Sequence, residues 1–231
     1  YFQHSLFVKN SQTRTMASMI VVLTEKPSVA KDIAHFLKAT HRKDGYFEGA
    51  GYRVTWAFGH LVSLKEPHDY DISFKRWSLD TLPIIPEKFS LKLINNSGVK
   101  KQYSVIKELF KQADELICAT DAGREGELIF RYILALSGSS KKPFKRLWLN
   151  SLTNEAIEEA FSKMKSGKEY TNLYYAAQCR SQADWIVGLN ATRFMTVRHG
   201  FGKYLWSVGR VQTPILQMIA KRDEEIRFFV P

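Results

Sequence analysis

Hydrophobic positions follow two rhythms along this chain, and the change between them divides it. Ile20-Val21-Val22-Leu23 is a short, wholly apolar, β-branched run, the pattern of a strand buried on both faces in a parallel sheet. Thr24-Glu25-Lys26-Pro27-Ser28 ends the run, and Ser28 is placed to cap a helix whose apolar face is Val29, Ile33, Phe36 and Leu37. A second strand is predicted over residues 53–58, after Gly49-Ala50-Gly51. Residues 61–100 show little periodicity and predict irregular connections with short strands. Regularity returns with an amphipathic helix over 103–112, a short apolar strand over 116–120, a helix over 128–136 and a strand over 144–149. Strand–helix alternation of this kind predicts an α/β layer with a mostly parallel sheet.

Beyond about residue 152 the rhythm is helical throughout. Residues 153–165 read as a helix with Thr153 as cap and Ile157, Ala160, Phe161 and Met164 inward. Longer helical patterns cover 170–196 and 211–225. The predicted division is an α/β domain over 19–152 and a mainly α-helical segment over 153–231. Residues 1–18 read as a tag, since Tyr1-Phe2-Gln3 resembles the end of a protease cleavage site and Met19 directly precedes the first strand. No uninterrupted apolar stretch approaches the ~18 residues that span a bilayer, and no segment has the order of a signal peptide.

Composition adds a partner class. The 231 residues are 45% hydrophobic and 25% charged, which excludes a disordered or fibrous chain. Lys and Arg number 34 against 23 Asp and Glu, a formal charge of +11. Lys9 and Arg14 are the only charges before Met19, so +9 remains on the rest. A surplus of that size favours a polyanionic partner, nucleic acid or an anionic membrane surface. The two cysteines, Cys118 and Cys179, stand in no metal-like spacing and read as reduced core thiols of a cytoplasmic protein.

Two of the predicted strands deliver acidic residues at their carboxyl ends, the edge where open α/β sheets place ligands. The first ends in Glu25-Lys26 and the other in Asp121-Ala122-Gly123-Arg124-Glu125-Gly126-Glu127. Carboxylates so spaced could gather on one cation, and Mg²⁺ suits one or two carboxylates together with phosphate oxygens. Acidic residues in a first helical turn are also favoured by the helix dipole, so spacing alone leaves both readings open. Arg124 and Lys26 would suit a phosphate beside the carboxylates.

The helical part is basic and aromatic. From residue 170 to 219 there are five basic residues, Arg180, Arg193, Arg198, Lys203 and Arg210, against the single acid Asp184. Tyr174, Tyr175, Trp185, Phe194, Phe201, Tyr204 and Trp206 interleave with them. Basic grooves track phosphates and exposed aromatics stack bases, although aromatics at helical spacing more often fill cores. Ser207-Val208-Gly209-Arg210-Val211-Gln212-Thr213-Pro214 puts small residues and a glycine before a helix start, which reads equally as an ordinary helix start or as an anion site.

At these residues the chain resembles a known family. Residues 24–28, Gly59-His60-Leu61 and the run Thr120 to Glu127 are similar to the Toprim fold of topoisomerases, primases and some nucleases. The resemblance implies Glu25, Asp121 and Glu125 as metal ligands. Gly123 stands where that family usually has a second Asp, so fewer protein ligands are implied. The run Asp121 to Glu127 resembles that of bacterial topoisomerase III sequences, and residues 178–193 together with Ser207 to Pro214 resemble type IA topoisomerases, which primases and Toprim nucleases do not match. For that family the resemblance implies single-strand cleavage, strand passage and rejoining through a 5′-phosphotyrosine.

Carried onto this sequence, the resemblance implies catalytic roles for Glu25, Lys26 and Arg124, with Mg²⁺ as cofactor. It implies DNA contacts for His60, Arg180, Asp184, Asn190, Arg193, Ser207, Val208, Gly209, Arg210, Val211 and Gln212. The family nucleophile sits in a Tyr-Pro-Arg-Thr-like motif, and none of the ten tyrosines here is followed by Pro. The expectation is therefore a truncated, monomeric, cytoplasmic chain that binds single-stranded DNA and Mg²⁺ without cutting. A Toprim nuclease or primase and a non-catalytic strand-binding module are the alternatives.

Overall fold

The computed structural model describes residues 19–200 and 203–230; the tag expectation for residues 1–18 lies outside them. The chain forms two compact units. One gathers the described residues up to Ser63 with Leu91–Ala177, and the other combines Leu64–Ser90 with the described residues from Gln178 on.

The first unit is built on a seven-stranded sheet. Its strands are β1 (Ile20–Thr24), β2 (His41–Lys43), β3 (Tyr46–Gly49), β4 (Tyr52–Trp56), β7 (Glu115–Ala119), β8 (Phe144–Arg146) and β9 (Lys165–Ser166), in the order β2-β3-β4-β1-β7-β8-β9. The short β5 (Val62–Leu64) and β6 (Leu91–Leu93) pair separately. Strands β4, β1, β7 and β8 run parallel, while β2–β3, β3–β4 and β8–β9 are antiparallel. The sheet is thus the mostly parallel one that the apolar runs predict.

Strand β1 is buried along its whole length, as a central parallel strand must be. Ile20 and Val22 join the cluster that includes Ala30, Ile33 and Ala34 of α1 (Pro27–Phe36) and Ile157 and Phe161 of α4 (Asn154–Ser162). Alternation leaves Val21 and Leu23 for the opposite face. Phe36 stacks on Phe161 with ring centroids 5.6 Å apart. The remaining helices of this unit are α2 (Ser97–Gln112) and α3 (Arg124–Leu136), joined by a Phe110–Phe130 contact at 5.9 Å.

Several expectations shift in detail. Helix α1 starts at Pro27 with Lys26 in the capping position, so Ser28 lies inside the helix rather than before it. Proline has no N–H to lose and a φ already set for a helix. Helix α3 starts four residues earlier than its apolar pattern, which draws Glu125 and Glu127 into its first turn. The division into units also falls differently from a single cut near residue 152. Helix α4 packs its Ile157 and Phe161 on the sheet, and the aperiodic stretch 64–90 belongs to the second unit.

The second unit holds three single turns of 3-10 helix, Pro67–Asp69, Ile72–Lys75 and Leu79–Thr81, with most of α5 (Thr171–His199) and all of α6 (Gln212–Arg227). One face of α5 clamps the irregular stretch. Trp185 Nε1 donates to Lys65 O at 3.0 Å, and its ring meets Tyr70 and Phe89 edge-on. One turn on, the Asn190 amide accepts from Ile84 N at 2.7 Å and donates to Ile84 O at 2.9 Å. Arg193 donates to Phe74 O at 2.8 Å and covers the Trp77 ring. Among the described residues no helix is long and apolar enough to cross a membrane.

Candidate functional site

Strands β1 and β7 are neighbours in register, with Thr24 beside Ala119. The residues that follow them therefore emerge together at the carboxyl edge of the sheet. Lys26 Nζ donates to Asp121 Oδ2 at 2.7 Å, and the Asp121 backbone N–H donates to Glu25 Oε2 at 3.3 Å. The hydrogen bond and charge of Asp121 hold the Lys26 ammonium above its ordinary pKa. Glu125, one turn further along α3, has its Oε2 3.6 Å from His60 Nε2. Arg124 is exposed beside it at the start of α3. Glu25, Lys26, Asp121, Glu125, Arg124 and His60 thus share one unit, and five of them meet, Glu25 and Lys26 on Asp121 and Glu125 with His60.

These groups fit a hard divalent cation in kind. Two carboxylates come from adjacent strand ends and a third from the first turn of α3, and all offer the oxygen donors that such ions take. Among the described residues no three acidic, His or Cys side chains are already gathered to hold a metal. Each carboxylate is instead held by a neighbour.

A second layer, absent from the sequence reading, lies beneath. Arg146 is wholly buried, and so is Glu127. Arg146 donates to Cys118 O at 3.0 Å, Thr120 O at 2.8 Å and Asp121 O at 2.7 Å, collecting the carbonyls that end β7. Its Nε is 3.3 Å from Glu127 Oε2, an ion pair without hydrogen-bond alignment. Glu127 also accepts from Arg131 Nε at 2.7 Å. Charges are almost never fully buried unless paired, so this network exists to hold the loop carrying Asp121. The visible signal was a basic residue in the otherwise apolar strand end Arg146-Leu147-Trp148-Leu149.

In the second unit Arg180, Asp184 and residues 207–212 form a surface of their own. Arg210 forks onto Asp184, with Nε to Oδ1 at 2.8 Å and Nη2 to Oδ2 at 3.1 Å. Arg180 Nε is 4.0 Å from the same carboxylate. The Arg210 hydrogen bonds keep the Asp184 carboxyl below its ordinary pKa. Ser207, Val208, Gly209, Arg210, Val211 and Gln212 run from α5 to the start of α6. Threonines along α5 pin this run: Trp206 N donates to Thr196 Oγ1 at 3.0 Å and Val208 N to Thr192 Oγ1 at 2.9 Å. Sequence reading missed both threonines, whose i, i+4 spacing on α5 was the available sign.

An open groove of about 1150 Å³ runs between α5 and α6, with Asp184, Gly209, Arg210 and Gln212 on its walls. No side chain caps the start of α6. Asn190 and Arg193 do not join this surface. Both face the 64–90 stretch, and Arg193 is only 5% exposed, its guanidinium pKa pushed down by burial.

The Toprim domain profile matches residues 20–152, and the DNA topoisomerase profile matches residues 168–231. The chain is 50% identical over 216 residues to DNA topoisomerase 3 of Bacillus subtilis (strain 168), covering 93% of this chain and 29% of that protein. It is 50% identical over 214 residues to DNA topoisomerase 3 of Bacillus cereus (strain ATCC 14579), with 92% and 28% covered. For DNA topoisomerase 3 of Staphylococcus epidermidis the figures are 49% over 213 residues, 91% and 29%. The chain thus spans less than a third of the length of these relatives.

Proposed function

The chain belongs to the Toprim family, and from that footing we propose that it is part of a bacterial type IA topoisomerase of the topoisomerase III kind. The parent protein would cut one DNA strand, pass another through the break and reseal it, working as a monomer in the cytoplasm. The observation that carries this reading is the meeting of Glu25, Lys26 and Asp121 at the carboxyl edge of two adjacent parallel strands.

Toprim domains bind metal, and here Glu25, Asp121 and Glu125 would hold Mg²⁺. When bound, the ion supplies positive charge for the transferring phosphoryl group. The chain's own residues do the rest. Lys26 offers an ammonium to the oxygens of the scissile phosphate, where negative charge builds in the transition state. Glu25 is placed to carry the proton of the 3′ oxygen that leaves and later returns. Arg124, at the start of α3, adds a second cation for the same phosphate. On the other unit, Arg180, Arg210 and the backbone from Ser207 to Gln212 would track the single strand, with Asp184 orienting Arg210. His60 would contact the DNA near the cut.

The bond exchange itself is a transesterification: a tyrosine oxygen attacks phosphorus, the 5′ phosphate stays on the protein and a free 3′ hydroxyl results. The tyrosine belongs to the longer protein in this proposal, since none of the ten here stands in a Tyr-Pro pair. Labelled single-stranded DNA, incubated with this chain or with a longer form and then denatured, tests it. A covalent adduct is expected from the longer form alone. An adduct with the 231-residue chain, or free cleavage products from it, would overturn the assignment.

A further inference from the structure

Each carboxylate of the proposed cation site already has a partner of its own. Asp121 Oδ2 holds the Lys26 ammonium at 2.7 Å, Glu125 faces His60 at 3.6 Å, and Glu25 accepts the Asp121 backbone N–H at 3.3 Å. Of these partners Lys26 is the ammonium, and it sits on a long side chain. Its charge ends a flexible four-carbon stem, and the Lys26 and Asp121 side chains are 56% and 50% exposed. An ammonium and a divalent cation cannot use the same carboxylate oxygen at once. Glu25 is tied instead to the Asp121 backbone N–H at 3.3 Å.

We propose that Lys26 and the divalent cation are alternative occupants of Asp121, so that cation binding hands the Lys26 ammonium over to the DNA phosphate. Without the cation the ammonium neutralises Asp121 and is withheld from substrate. With it, Asp121 is satisfied and the ammonium turns to the nearest anion. Cation and strand then help each other to bind, and the help is reciprocal because it is one coupling free energy. The exchange costs little, because an exposed ion pair shifts an equilibrium by only about two- to fivefold. It rests on the reading of Glu25, Asp121 and Glu125 given above and specifies how that site is regulated.

The test measures Mn²⁺ binding to this chain by the paramagnetic signal of the free ion, with and without a short single-stranded oligodeoxynucleotide. Lys26→Gln is expected to bind Mn²⁺ roughly two- to fivefold more tightly than the unaltered chain when DNA is absent. Lys26→Arg, which returns a cation to Asp121, is expected to restore the weaker affinity. The oligonucleotide should tighten Mn²⁺ binding in the unaltered chain and lose that effect in Lys26→Gln. Lys31→Gln removes a charge from the same helix outside the cluster and should change neither quantity. Equal or weaker Mn²⁺ binding by Lys26→Gln, or an equal gain from Lys31→Gln, overturns the exchange while leaving the cation site standing. Failure of every form to bind Mn²⁺ overturns the cation site itself and the exchange with it.

Discussion

Gly126 lies directly against the backbone of Asp121. A Cβ at position 126 would overlap Asp121 O and stand 2.9 Å from Asp121 N, while Gly126 O accepts from Thr120 Oγ1 at 2.7 Å. Glycine is required because α3 and the end of β7 touch backbone to backbone. Gly126→Ala should push the Asp121 loop away from Glu25 and Lys26. Overpacking of this kind costs about 1–3 kcal/mol. The expected result is a lower thermal midpoint with weakened Mn²⁺ binding, whereas Gly123→Ala, with open space around it, should leave the midpoint in place.

Arg146 holds the same loop from below. Arg146→Met strands Glu127 in the interior with only Arg131, and breaking a buried pair costs about 3–5 kcal/mol. Urea unfolding should register that loss. Adding Glu127→Leu should return most of it, since apolar replacement of a buried pair is often neutral. Strand cleavage by a longer form should stay impaired in the double variant, because Asp121 O still lacks its donor.

The groove in the second unit depends on Arg210 and on the threonines of α5. Arg210→Ala should reduce the slope of log affinity against log salt for single-stranded DNA by about one. Thr192→Val should weaken the same binding without altering the slope, since it frees the Val208 backbone but removes no charge. Fluorescence anisotropy across a salt series separates the two effects.

Asp184 has a depressed carboxyl pKa, so its pairing with Arg210 stabilises the fold fully above the ordinary value near ~3.9. The contribution is lost as pH falls through the depressed folded value. Asp184→Asn should lower stability slightly and evenly from pH 6 to 8 and flatten the acid limb below about pH 4, where the unaltered chain loses the same contribution. The effect is small because the pair is exposed to solvent.

The two cysteines should react very differently. Burial pushes the Cys118 thiol up to about 11, while Cys179, expected in the core, is exposed on α5. At pH 8 a disulfide reagent should label a single thiol in the folded chain and a second only after denaturation. The raised value means that the buried thiol's contribution to stability is present below the unfolded pKa, near 9, and is lost as pH rises towards about 11.

The extent to which these features were legible follows from their physics. Strand β1 was plain, because a strand covered on both faces must be apolar at every position. The β2–β3 hairpin was not: β2 is His41-Arg42-Lys43, exposed throughout at the sheet's end, so no alternation marks it. Its turn depends on Gly45 at φ 86°, which a list of glycines does not distinguish from any other. The stretch 64–90 looked like connection because its partners are remote, as with Ile84, which pairs with Asn190 across 106 positions.

Local order in the chain was enough to determine which residues carry charge, where strands give way to helices, and that acids and bases follow two strand ends. Those properties depend on neighbours within a turn or a strand, where period and capping act directly. Only the folded molecule decided that Arg146 reaches under Asp121, that Asn190 and Arg193 turn to the 64–90 stretch, and that Lys26 rather than Ser28 begins α1. Hydrogen bonds and ion pairs between residues far apart in the chain depend on the packing of whole elements, and nothing in the local pattern encodes which distant partner a polar side chain will find.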